Sequence, residues 1–268
     1  GGTDDAGFND GVYVRNGATI SSAGDGSINI IGLGGQSSGP ENRGIHIDDD
    51  VSITATGDGG LHINGTGGLG SVSGTGVRIS DSSSLTSATA DIYIEGHGKG
   101  DANSNNNHGV NVRSDALVST TTGNIHVSGT GGFTSGDENT GIKIWHDSIV
   151  TTVDGDISVI GHSGGDVESL TSGGGGSYIG SRLTATGNGN VLIEGTGRAT
   201  GTRSNGVVIS GGNALVATDS GTLRVDGKGG ESTDKWNRGV GIWNGSKVTT
   251  ATGEIQINGI AGGKHESF

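Results

Sequence analysis

The sequence predicts an all-β fold: a right-handed, single-stranded parallel β-helix (β-solenoid) of eight coils, each about 33 residues long with three short strands. Three observations lead to it. A glycine-initiated apolar motif recurs eight times. Apolar residues alternate within each block, which is the period of a strand and not of a helix. Glycine-rich turns separate the blocks.

The first strand of each coil follows the motif Gly-apolar-x-apolar. It reads Gly11-Val12-Tyr13-Val14, Gly44-Ile45-His46-Ile47, Gly76-Val77-Arg78-Ile79, Gly109-Val110-Asn111-Val112 and Gly141-Ile142-Lys143-Ile144. A degraded copy, Gly176-Ser177-Tyr178-Ile179, precedes Gly206-Val207-Val208-Ile209 and Gly239-Val240-Gly241-Ile242. The second strand is marked by one apolar column: Ile20, Ile53, Leu85, Val118, Val150, Leu183, Leu215 and Val248. The third is apolar-x-apolar-x-Gly, from Ile28/Ile30 and Gly32 to Ile255/Ile257 and Gly259. Of these five positions per coil, all but Ser177 hold Val, Ile or Leu, the β-branched bias expected of strands.

Composition alone points elsewhere. With 59 Gly in 268 residues, the chain resembles a low-complexity segment. A disordered chain has no reason to hold five apolar columns in step over eight coils, so disorder is rejected. A helix would not tolerate this much glycine. No single coil can bury its own apolar face, but stacking makes the columns one continuous core. Parallel crossovers are right-handed, which sets the expected hand. The whole chain, 1–268, then reads as one solenoid domain.

Corners need glycine or asparagine, because narrow turns use left-handed backbone. Asn9, Asn42, Asn107, Asn139, Asn205 and Asn237 precede the first strand and are expected to stack as an amide ladder. The variable segments fall between the third strand and the next coil, for example Gln36 to Arg43, Gly100 to His108, Phe133 to Thr140 and Asp166 to Gly175. Such insertions gather on one face of a solenoid, often the binding face. Ser177, the Gly173 to Gly176 run and a short link to Leu183 make coil six the least regular.

The repeat exemplified by Gly141-Ile142-Lys143-Ile144 and Gly155-Asp156-Ile157-Ser158-Val159, with turns such as Gly129-Thr130-Gly131-Gly132, resembles the repeats of giant bacterial surface exoproteins with filamentous-haemagglutinin-like β-helices. The resemblance covers essentially the whole chain. It implies an extracellular, cell-surface location and a structural or adhesive shaft. Both ends fall in loops and neither carries a cap, so more coils are expected on each side, in the same chain or as identical subunits stacked head to tail.

Charge and composition exclude several classes. A net charge of −13 argues against nucleic acid and against anionic membranes, and no apolar run approaches a membrane span. Without Cys there is neither a disulfide framework nor a thiolate metal site. No nucleotide or hydrolase motif stands in a fitting context, and no coil shows a carboxylate pair with a basic partner. The expectation is a non-catalytic protein.

Three patterns remain as candidate sites. Asp25, Asp58, Asp91 and Asp156, with Asn124, Asn188 and Glu254 in the same apparent column, stack like charges before the third strand, and Asp48, Asp49 and Asp50 form the densest acidic run. Both could serve Ca²⁺, a hard cation with oxygen ligands, as the one candidate cofactor. Trp145 and Trp243 share an outward position three coils apart, about 14 Å along the axis, with Trp236 nearby, a pattern suited to surface glycans. Ser21, Thr54, Thr86, Ser119, Thr151, Thr184 and Thr249 form a hydroxyl row such as ice-binding solenoids use. A carbohydrate-binding or polysaccharide-degrading β-helix, an ice-binding solenoid and a phage tail fibre are thus the alternatives to the shaft.

Overall fold

The structure is a computed structural model that describes residues 7–165, 175–198, 203–231 and 236–263. It is a β-solenoid with 24 strands in three eight-stranded parallel sheets, and the described residues contain no helix. Each coil contributes one strand per sheet, as in coil one with Val12–Val14, Thr19–Ser22 and Ile28–Leu33. Every strand of coils two to seven pairs with its counterparts in the coils before and after it.

Register is the same from end to end. Val12 lies on Ile45, Ile45 on Val77, Val77 on Val110 and Val110 on Ile142. The inward columns of the three sheets form one core, in which Ile47, Ile53, Leu85, Val118, Ile144 and Val225 are wholly buried. A polar intruder is accommodated at Ser177: it sits in the core column, and its hydroxyl donates to the carbonyl of Glu194 at 2.7 Å.

The glycine columns are a packing requirement at one vertex. The closing glycine of the third strand abuts the opening glycine of the next first strand. A Cβ on Gly65 would stand 2.2 Å from the Gly76 carbonyl oxygen, and one on Gly76 would stand 2.3 Å from the His97 backbone nitrogen. The next corner, between first and second strands, is instead a left-handed pair: Asn16-Gly17, Asp49-Asp50, Asp81-Ser82, Ser114-Asp115, His146-Asp147 and Asn244-Gly245. Small polar residues tolerate that backbone best, which explains their recurrence there.

Two sequence expectations need correction. The inward residue of coil seven's second strand is Val216, wholly buried and in register with Leu183 and Val248, whereas Leu215 pairs with Arg182 and Lys247. Gly211, at φ 139°, and Gly212 lengthen that corner by one residue, so the strand slips. The amide ladder forms in pieces. Asn9 Nδ2 donates to Asn42 Oδ1 at 3.1 Å, and Asn107 Nδ2 to Asn139 Oδ1 at 3.0 Å. In coil seven Ser204 takes the column, its backbone N–H donating to Asn237 Oδ1 at 2.9 Å, and Asn205 lies one residue out of step. Most of the Asp166 to Gly175 segment lies outside the described residues.

Candidate functional site

The outer face of the first sheet gathers the chemistry. Alternation turns the middle residue of each first strand outward: Tyr13, His46, Arg78, Asn111, Lys143, Tyr178, Val208 and Gly241 lie in one register row. The residue after the strand makes a second row, which includes Arg113, Trp145, Gly180, Ser210 and Trp243. The variable segment enters each first strand through a left-handed residue three positions before its glycine: Phe8, Glu41, Ser73, Asn106, Glu138, Arg203 and Trp236, with φ from 56° to 73°. These bends lay the segments along the edge of the face. His46, Asn111 and Lys143 are consequently buried although they point away from the core.

Between coils five and eight this face opens into a cleft of about 330 Å³. Trp145 and Trp243 wall it, with Tyr178, Val208 and Lys143 also lining it, and Glu138, Arg203 and Asn205 offering polar groups. The reason is local: in the Trp145–Trp243 row, coils six and seven carry only Gly180 and Ser210, so the sheet is recessed between two indoles. The cleft residues are held in place by their neighbours. The Trp145 Nε1–H donates to Asn111 Oδ1 at 3.0 Å. The Lys143 Nζ lies 4.0 Å from the Trp145 ring centroid and donates to Glu138 at 2.8 Å. Trp236 does not line the cleft but joins it through guanidinium groups. Arg238 stands 5.6 Å from the Trp243 ring and 6.0 Å from that of Trp236, and Arg203 stands 5.0 Å from Trp236. Sequence reasoning picked out the tryptophans but missed Lys143, Tyr178 and Arg203. Their signal was the outward middle position of the first strand and the position three before the glycine.

The face is also cationic. Arg15, Arg43, Arg78, Arg113, Lys143, Arg203 and Arg238, seven of the chain's fifteen Lys and Arg, stand on or beside it. Arg43 is buried and neutralised, with Nη1 3.4 Å from Asp10 and Nη2 2.5 Å from Glu41. His46 Nδ1 is 3.1 Å from Asp10. Burial, together with the charges of Arg43 and Arg113, lowers the Arg78 pKa. His108, just before the coil-four glycine, is driven well below the ordinary imidazole value by burial and by Lys143, Arg113 and Arg78. It is neutral at pH 7.

The acidic column predicted for Ca²⁺ resolves into two. Asp91, Asn124, Asp156 and Asn190 form one ladder, in which each side-chain oxygen accepts the backbone N–H of the next coil at 2.7–2.8 Å, ending on Thr222. Asp58 belongs to a separate row and accepts from the Thr89 hydroxyl at 2.9 Å. Alternating amides and backbone donors thus relieve the like-charge stacking. Asp25 lies one coil before Asp58 in that second row. Asp49 and Asp50 are corner residues in left-handed backbone. No group of three or more His, Cys, Asp or Glu suited to a metal ion occurs among the described residues.

Asp48 meets a partner that the sequence did not indicate. It hydrogen-bonds Asp81 of the next coil, with His46 and Arg78 nearby. The contact to Asp48 raises the Asp81 pKa, with burial adding to it. Burial opposes ionisation of Asp48, but the bonds from Asp81 and from Ser80, with the His46 and Arg78 charges, lower it overall. The hydroxyl row of the second sheet is flanked outward by Leu117, Ile149, Arg182, Leu215 and Lys247 in coils four to eight, so the flat face for ice does not continue. Comparison with family models, curated proteins and solved structures finds no match.

Proposed function

We propose that this β-solenoid is a non-catalytic structural and adhesive shaft segment of an extracellular bacterial filament or giant surface protein. The observation that carries the reading is continuous stacking: all three parallel sheets hold one register through eight coils over a single buried core. The core residues of the middle coils are wholly buried between the coils on either side, which makes the stack a stiff rod without a dominant site. The resemblance to surface exoproteins supports the location. Immunogold labelling of intact and permeabilised cells tests it: label along projections outside unpermeabilised cells is expected, and label confined to the interior would contradict it.

The cleft favours one further reading, that the shaft adheres through saccharides. Two indoles and a phenol walling one recess, with Lys, Glu, Arg and Asn beside them, suit the apolar face and hydroxyl rim of a sugar. A glycan array with the native chain and a Trp145→Ala/Trp243→Ala double variant tests this. Loss of selected glycans in the variant is expected, and identical profiles would contradict it.

A further inference from the structure

We propose that Arg78 and Arg113, in adjacent coils beside His108, form an oxyanion subsite on the outer face of the first sheet, taking the carboxylate or sulfate group of an acidic ligand. Three independent features point there. First, Arg78 is only partly exposed, yet its guanidinium donates no hydrogen bond and has no ion pair among the described residues, and its Nε is buried without a partner. The nearest carboxylates are engaged elsewhere, Glu41 on Arg43 and Asp48 on Ser80 and Asp81. Second, among the described residues Arg113 has no ion pair either. Its Nε–H donates to the Ser114 hydroxyl at 3.2 Å, and its guanidinium carbon lies 5.1 Å from the centroid of the Trp145 ring that walls the cleft. Third, the buried His108 ring beside them feels both guanidinium charges and is bonded to the Thr140 backbone, which places the two arginines and the ring around one spot.

Glu41 and Asp48 act on the Arg78 charge at a distance but form no ion pair with it, so its guanidinium fork is left unfilled next to a second cation. An oxyanion would fill it: a guanidinium fork matches the oxygens of a carboxylate or sulfate. His108 borders the two arginines as a neutral ring whose N–H is taken by the Thr140 backbone, so it adds no charge to the site and the two guanidinium groups do the binding. The subsite stands whether or not the cleft takes sugars, because neither indole supplies a charge to it.

Thermal unfolding of the full chain in sodium sulfate and in sodium glucuronate, against sodium chloride of matched ionic strength, tests the site. At least one oxyanion should raise the midpoint above chloride, increasingly with concentration. Arg78→Gln should weaken that response at least tenfold in apparent affinity while unfolding no earlier than the native chain in chloride, since it removes an unpaired charge. Comparison with the variant cancels the general stabilisation by sulfate. A larger response to sulfate identifies a sulfate-ester ligand, and a larger one to glucuronate a carboxylate ligand. Arg113→Gln serves the same purpose if Arg78→Gln does not fold. No rise above chloride, or an equal rise in both arginine variants, would overturn the proposal.

Discussion

Trp145 is tied to Asn111 of the preceding coil: its indole N–H donates to the amide oxygen at 3.0 Å. The ring's position therefore depends on an amide one coil away, and the same ring covers the Lys143 ammonium. Asn111→Leu keeps the volume and removes the acceptor. It should cost about 1 kcal/mol, the net worth of one hydrogen bond. Emission from the three tryptophans should shift to the red and become easier to quench with acrylamide. An unchanged spectrum would show that the bond does not hold the ring.

Coil-on-coil burial predicts a steep gradient along one column. Ile144 is wholly buried in coil five, so Ile144→Ala should cost about 2–5 kcal/mol in urea unfolding. Ile257, 45% exposed in coil eight, should lose less than half as much in the same substitution, because half of its surface is already in water. Equal losses would contradict the gradient.

Two glycines should behave oppositely. Gly76→Ala drives a methyl into backbone on both sides, at 2.3 Å from His97 N and 2.7 Å from the Gly109 oxygen, and should prevent or severely destabilise folding. Gly212 has open space around its Cβ position and no left-handed φ, so Gly212→Ala should be neutral or stabilise by about 0.4–1 kcal/mol through the unfolded chain. Circular dichroism melts of the two variants check the pair.

The Asp48–Asp81 bond makes a pH prediction. The Asp81 pKa is raised on folding, so its contribution is present below the usual carboxylate range and is lost as pH rises through the raised value. Asp48 is lowered, and its contribution runs the other way, lost only in stronger acid. Asp81→Asn keeps a donor for Asp48 without a second charge. Relative to the native chain it should gain stability at neutral pH, by at most about 1 kcal/mol given solvent screening, and lose that advantage below about pH 4. A constant difference across that range would exclude the shared proton.

The architecture was legible in the sequence because the core positions are apolar in every coil, and a period-two pattern leaves one face for each residue. Where the chain inserts or omits residues at a corner, the pattern misleads: Leu215 and Val216 are both apolar, and only the Gly211-Gly212 lengthening decides which faces inward. The acidic column failed for the same reason, since Asp58 and Asp91 occupy different rows although each precedes a third strand. The cleft was half legible. Outward tryptophans at one repeat position are visible in a linear alignment of coils. The recess between them is not, because it depends on what Gly180 and Ser210 lack. The free state of Arg78 was not legible either, because it depends on Glu41 and Asp48 choosing other partners.

The shaft reading rests on a register-true stack of coils acting as a rod, and the length of the native particle tests that most directly. At about 4.8 Å per coil, eight coils rise roughly 38 Å. Cryo-electron microscopy of material taken from its source should show rods many times that length, with an axial repeat of about 4.8 Å running unbroken along them. Discrete, monodisperse particles eight coils long would contradict it.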